Sequence, residues 1–199
     1  MKKYGLPILI VLVIVFAGYK LFVNKNSSKS DEKQKPLAMG ANSGPFNQSF
    51  TSLLNAYYSL KDALVANDTA KATAAALELA VQTEKLNIKE LNGDSTGTIK
   101  QTASFYTGSI GPMVSNLAGE KTLAGKRKQF EEISDAVWSL TRTVRYDGQK
   151  VFYLYCPMAF DNKGAYWLSS DKEIHNPYFG DKMPNCGEVA DSVDYSRKK

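Results

Sequence analysis

The apolar residues of the stretch "PFNQSFTSLLNAYYSLKDALVAND" fall at Phe46, Phe50, Leu53, Leu54, Tyr57, Leu60, Leu64 and Val65. Steps of three and four put them on one face of an α-helix. Asn67-Asp68 closes this helix, and Asp68 or Thr69 can cap the next. That segment, "TAKATAAALELAVQTEKLNI", is rich in alanine, which favours helix and lets a neighbour approach closely. A third helix is predicted within Thr98 to Leu117, with a kink or break where Gly108, Gly111 and Pro112 gather. A fourth is predicted from Thr122 to Val144, its apolar face made by Phe130, Ile133, Val137, Leu140 and Val144. Four amphipathic segments with short connections predict a mainly α fold, an antiparallel up-and-down four-helix bundle. After Tyr146-Asp147-Gly148 the period changes. "KVFYLYC" and "AYWLSS" are rich in aromatic and β-branched residues and are separated by the turn-forming Asp161-Asn162-Lys163-Gly164, which predicts a small C-terminal β-hairpin/loop appendix. The domain so drawn spans residues 45–190, with a polar tail over 191–199.

The chain ahead of the bundle has a different character. "LPILIVLVIVFAGYKLFV", Leu6 to Val23, is apolar except for Lys20. As a helix its roughly 18 residues span ~27 Å, enough for a thin hydrocarbon core, with Lys20 snorkelling to the headgroups. Residues 1–23 are therefore read as a membrane anchor or signal segment. Ala17-Gly18 offers a place for cleavage, whereas the return of apolar residues at Tyr19, Leu21, Phe22 and Val23 suits an uncleaved anchor. Lys2 and Lys3 on the short tail place that tail in the cytoplasm. The domain would then face the periplasm from a single-pass inner-membrane anchor, or be secreted to the periplasm if cut. Residues 24–44, polar and charged with little to bury, read as a flexible tether.

Charge changes the picture by its location. The 199-residue chain carries a net charge of +5. Met1 to Pro36 holds seven lysines against Asp31 and Glu32, and so accounts for that excess alone. The remaining chain is neutral. No basic face is left for the folded domain, and nucleic acid is excluded as a partner. No Gly-x-Ser-x-Gly elbow, phosphate-cradling loop, His-Glu-x-x-His or dinucleotide fingerprint occurs, so the expected role is binding and not catalysis. Glu131, Glu132 and Asp135 on the fourth helix fit a solvated face better than an acid–base pair.

The C-terminal segments "YCPMAFDNKGAYWLSS", "EIHNPYFGDKM" and "CGEV", following the helical pattern, closely resemble the domain-of-unknown-function family 3347 over roughly Phe46 to Val189. Members of that bacterial family include stand-alone exported proteins and domains fused to periplasmic adaptor subunits of heavy-metal efflux pumps. The resemblance implies an exported accessory of metal handling, with Cu(I) or Ag(I) as cargo and an efflux-pump or other envelope protein as partner. Arginine is common in the family where this chain has His175.

The sulfur chemistry of this segment can be weighed directly. Cys156 and Met158 flank Pro157, while Met183 and Cys186 stand either side of Pro184-Asn185. Thiolate and thioether ligands are soft, and together they select Cu(I) or Ag(I) over hard cations. If the two pairs converge they supply up to four sulfur ligands, with His175 replacing or supplementing one. Two cysteines and one histidine fall a ligand short of a structural zinc site. The competing reading is a Cys156–Cys186 disulfide that staples a protein-interaction domain of the cell envelope and binds no metal. Met158 and Met183 also have an ordinary reading as core gap-fillers, and His175 as a loop residue. Tyr153, Tyr155, Tyr166, Trp167, Tyr178 and Phe179 are expected to join hairpin to helices, with Trp138 seated on them, in preference to forming a ligand-stacking groove.

Overall fold

The computed structural model describes residues 42–196. The anchor or signal segment 1–23 and most of the 24–44 tether lie outside the described residues. Among the described residues no helix is long and apolar enough to cross a membrane.

The chain is mainly helical, with a small antiparallel sheet at its C-terminal end. Helices α1 (Gly44–Val65), α2 (Thr69–Glu84), α3 (Thr98–Gly119) and α4 (Leu123–Thr143) each pack on the next. Their starts follow from local chemistry. Ser43 caps α1 through Oγ, which accepts from the Phe46 N–H at 3.2 Å, and Pro45 occupies the first turn, where its missing N–H costs nothing. Asp68 caps α2 by accepting from Lys71, and Thr122 caps α4 by accepting from Gly125. The predicted inward faces are in place except at the end of α1: Phe46, Phe50, Leu53, Leu54, Tyr57, Leu60 and Leu64 of α1, and Phe130, Ile133, Val137 and Leu140 of α4 with Val144 behind it, are fully buried, whereas Val65 is half-buried. On α2 the buried face is Ala72, Ala76, Leu79 and Thr83, small enough for a close neighbour.

Three boundaries differ from the sequence reading. First, α3 is unbroken from Thr98 to Gly119 with Pro112 inside it. The proline removes one backbone donor, and the carbonyl it would have served belongs to exposed Gly108, which water can satisfy. Second, the last residues assigned to the tether belong to the fold: Asn42 is buried and its Nδ2 donates to the carbonyls of Val144 and Arg145, each at 3.1 Å. Third, the region after Gly148 is a three-stranded sheet, β1 (Val151–Cys156), β2 (Ala165–Ser169) and β3 (Glu188–Val193), in the order β2-β1-β3. The β1–β2 hairpin was expected. β3 was not, and it runs three residues into the expected polar tail.

The sheet is part of the core rather than an outlying appendix. Val151, Leu154, Cys156, Ala165, Trp167 and Leu168 are buried with the helical side chains. β2 lies against α4 and α1, and a hydroxyl chain ties the three together. Tyr57 Oη accepts from the Leu168 N–H at 3.1 Å and stands 2.7 Å from Ser134 Oγ. Ser134 spends its single proton on the Phe130 carbonyl, so Tyr57 donates to Ser134 and every group is satisfied. On the sheet's helix side, Trp138 stacks on Tyr153 (4.4 Å, 2°) and Tyr153 on Tyr166 (4.7 Å, 7°), as the joining role of these aromatics requires. Tyr153 Oη donates to Asp135 at 2.7 Å and Lys128 pairs with Glu131 at 2.6 Å, which gives two of the three α4 carboxylates structural partners.

Candidate functional site

The end of β1 brings the two cysteines together. Cys156 is its last residue, wholly buried and in register with Ala165 of β2. Cys186 lies just ahead of β3 and is half-buried. The two Sγ atoms stand 3.0 Å apart and are not joined by a disulfide. The Met158 backbone N–H also points at Cys186, which favours its thiolate. The hydrogen bond with Cys156 outweighs this, aided by burial, and pushes the Cys186 thiol above its ordinary range.

Cys186 owes its position to a buried side-chain amide. Asn176 is fully buried. Its Nδ2 donates to the Cys186 carbonyl at 2.7 Å, its Oδ1 accepts from the backbone N–H groups of Tyr178 (2.8 Å) and Phe179 (3.2 Å), and its own N–H donates to Pro184 at 3.0 Å. One side chain therefore fixes both limbs of the 176–186 loop. An asparagine before Pro-Tyr signals an Asx-turn, but its long-range bond to residue 186 has no sequence signature. Arg127 fastens the same loop to the helices by donating to the carbonyls of Pro177 (2.7 Å) and Leu64 (3.1 Å) and to Asn67 Oδ1 (2.7 Å).

Gly187 completes the seat. Its φ of +151° belongs to glycine, and a Cβ there would stand 2.8 Å from Trp167 Cη2 and 2.9 Å from the Tyr155 carbonyl. Gly187→Ala should cost about 2–3 kcal/mol through strain and overpacking, read as a lower midpoint in denaturant. An unchanged midpoint would show that the backbone at 187 re-routes freely.

The other sulfur residues flank this pair. Met158 is 46% exposed, an unusual setting for a large apolar side chain. Met183 is half-buried, and its carbonyl accepts from the Cys186 N–H at 3.2 Å. Neither is among the residues that form the hydrophobic core or pack against it. His175 is exposed, with Nε2 3.5 Å from Glu173 Oε2. Among the described residues no cluster of three or more His, Cys, Asp or Glu could hold a metal ion. The two cysteine sulfurs are thus in contact, and the backbones of Met158 and Met183 both meet Cys186.

Between Cys156 and β2 the loop makes a left-handed turn, Ala159–Asn162, with positive φ at Phe160 (51°), Asp161 (59°) and Asn162 (67°). Asp and Asn tolerate this region and an aromatic residue does not. Phe160 is held in place by Tyr178, edge-on at 5.4 Å, and by the Lys128 ammonium 5.0 Å over its ring.

A helical domain joined to a three-stranded sheet that presents a thiol pair is the class of protein defined by these features. A family model described as a protein of unknown function (DUF3347) matches residues 53–148, which identifies that stretch with the family. The match runs from within α1 through α4 and ends three residues before β1, so the thiol pair stands outside it. No curated protein and no solved structure matches the chain.

Proposed function

We propose that this protein binds a soft monovalent ion, Cu(I) or Ag(I), through Cys156 and Cys186 with Met158 and Met183 in support and His175 as a supplementary donor. In this reading residues 1–23 anchor the chain in the inner membrane, and the domain faces the periplasm. The helices act as an up-and-down four-helix scaffold, and the protein serves heavy-metal efflux or homeostasis by binding, not by catalysis, beside an efflux-pump or other envelope partner. The carrying observation is the meeting of two thiols, 30 residues apart in sequence, at 3.0 Å, beside two methionines that the core does not use. Two thiols and thioethers match soft cations, and the scarcity of oxygen and nitrogen donors disfavours hard ones.

The test is titration of the reduced full-length chain in detergent with Ag(I) against a competing chelator. One ion per chain is expected, with affinity falling at least about 100-fold in the Cys156→Ser/Cys186→Ser protein. Equal, weak binding by both proteins discards the proposal. The same 3.0 Å contact supports a second reading, the disulfide-stapled interaction domain. It prevails if the unreduced chain has no free thiol and reduction lowers its stability without creating silver affinity.

A further inference from the structure

The two sulfurs differ in what can reach them. Cys156 is wholly buried in the middle strand of the sheet, paired through β1 to strands on both sides. Cys186 is half-exposed on a short connection between the Met183 turn and Gly187. Thiol–disulfide exchange requires direct approach of one sulfur to another, so access decides which thiol reacts first. The existing separation exceeds a sulfur–sulfur bond by only about 1 Å. That step can be taken by the Cys186 connection without disturbing β1.

We infer that Cys186 is the reactive and Cys156 the resolving sulfur of a reversible disulfide whose closure abolishes the soft-ion site. The second half rests on the proposed function and the first does not. With glutathione disulfide as co-reactant the steps balance. Cys186 loses its proton, and its thiolate attacks one glutathione sulfur, breaking the glutathione S–S bond and releasing one glutathione thiolate. A mixed disulfide remains on Cys186. Cys156 then loses its proton and attacks the Cys186 sulfur, forming the internal bond and expelling the second glutathione thiolate. The two protons end on the two glutathiones, so two protein thiols are oxidised and one disulfide is reduced. The bond consumes both thiolates and leaves Met158 and Met183 without the anionic ligands that hold a cation.

The experiment exposes the reduced full-length chain in detergent to glutathione disulfide and follows intact mass. The wild-type chain should lose two hydrogens and retain no glutathione. Cys156→Ser should accumulate one adduct on Cys186, whereas Cys186→Ser should react roughly tenfold more slowly or less. Pulse-labelling of the unmodified chain with a maleimide, which needs no variant to fold, should mark Cys186 before Cys156. Equal labelling, or equal adduct formation by the two variants, overturns the assignment of the reactive sulfur. A persistent mixed disulfide in the wild-type chain overturns the resolving role. Ag(I) titration of the oxidised chain should show at least about 100-fold weaker binding than the reduced chain, and equal affinity overturns the gate. If the reduced chain binds no silver, that failure belongs to the proposed function and to the gate, while the glutathione and maleimide results still decide the thiol roles.

Discussion

Between pH 10 and 12 the domain should unfold cooperatively, with phenolate absorbance and loss of helical circular dichroism rising together. Tyr57, Tyr58, Tyr146 and Tyr178 are all at least nine-tenths buried. Burial is the leading cause that raises each of these phenols above its ordinary value. For an acid whose pKa is raised by folding, the folded state keeps protons that the unfolded state has lost. Stability is complete below the unfolded tyrosine pKa near 10 and falls as pH climbs toward the folded values. Each such group contributes about 1.4 kcal/mol per pH unit within that window. Lys126 opposes them. Its ammonium is buried against the carbonyls of Leu117 (2.9 Å) and Ala118 (3.5 Å) and Thr73 Oγ1 (2.8 Å), and burial lowers its pKa, so its contribution rises with pH. Its window closes at the unfolded lysine pKa near 10.4, above which the buried phenols act unopposed at roughly 4–6 kcal/mol per pH unit together. A domain stable by about 5–15 kcal/mol is exhausted within a few units. Phenols that titrate one by one near pH 10 while the helices persist would contradict the burial of these rings.

The helical half was legible because each face is a run of large apolar side chains, and burial of such a face outweighs any local detail. Phe46 to Leu64 and Phe130 to Val144 needed only their spacing. Pro112 misled because the cost of a proline depends on whether the freed carbonyl finds water, and Gly108 is exposed. β3 was illegible for a related reason. Glu188, Val189, Ala190 and Asp191 are exposed on an edge strand, so neither burial nor alternation writes a pattern. The thiol pair was legible in composition and not in geometry. Chemistry named Cys156, Met158, Met183 and Cys186 as one set, but the agents that bring residue 186 to residue 156 are Asn176, Arg127 and Gly187, whose contacts span up to 63 residues of sequence.

Trp167→Ala should be the most damaging single truncation near the site, costing about 3–5 kcal/mol. The indole is fully buried in β2, pairs in register with Leu154, meets Tyr178 edge-on at 5.9 Å and rests against Gly187. Removing it empties the space between the sheet and the 176–186 loop. The two cysteines feel that change unequally. Cys156 is held by strand pairing on β1, whereas Cys186 depends on Asn176 and on Gly187 resting against the indole edge. The variant should therefore lose stability and also lose the thiol contact, forming the internal disulfide roughly tenfold more slowly with glutathione disulfide under conditions where it is still folded. Trp167→Phe provides the control. The indole Nε1–H has no hydrogen-bond partner among the described residues, so phenylalanine gives up no bond and leaves only a smaller void, at about 1–2 kcal/mol. Trp138 remains in both proteins as a fluorescent reporter of unfolding. Should Trp167→Ala oxidise as fast as the wild-type chain while losing the expected stability, the Asn176 hydrogen bonds alone would suffice to present Cys186, and Asn176→Ala would become the variant that separates the sulfurs.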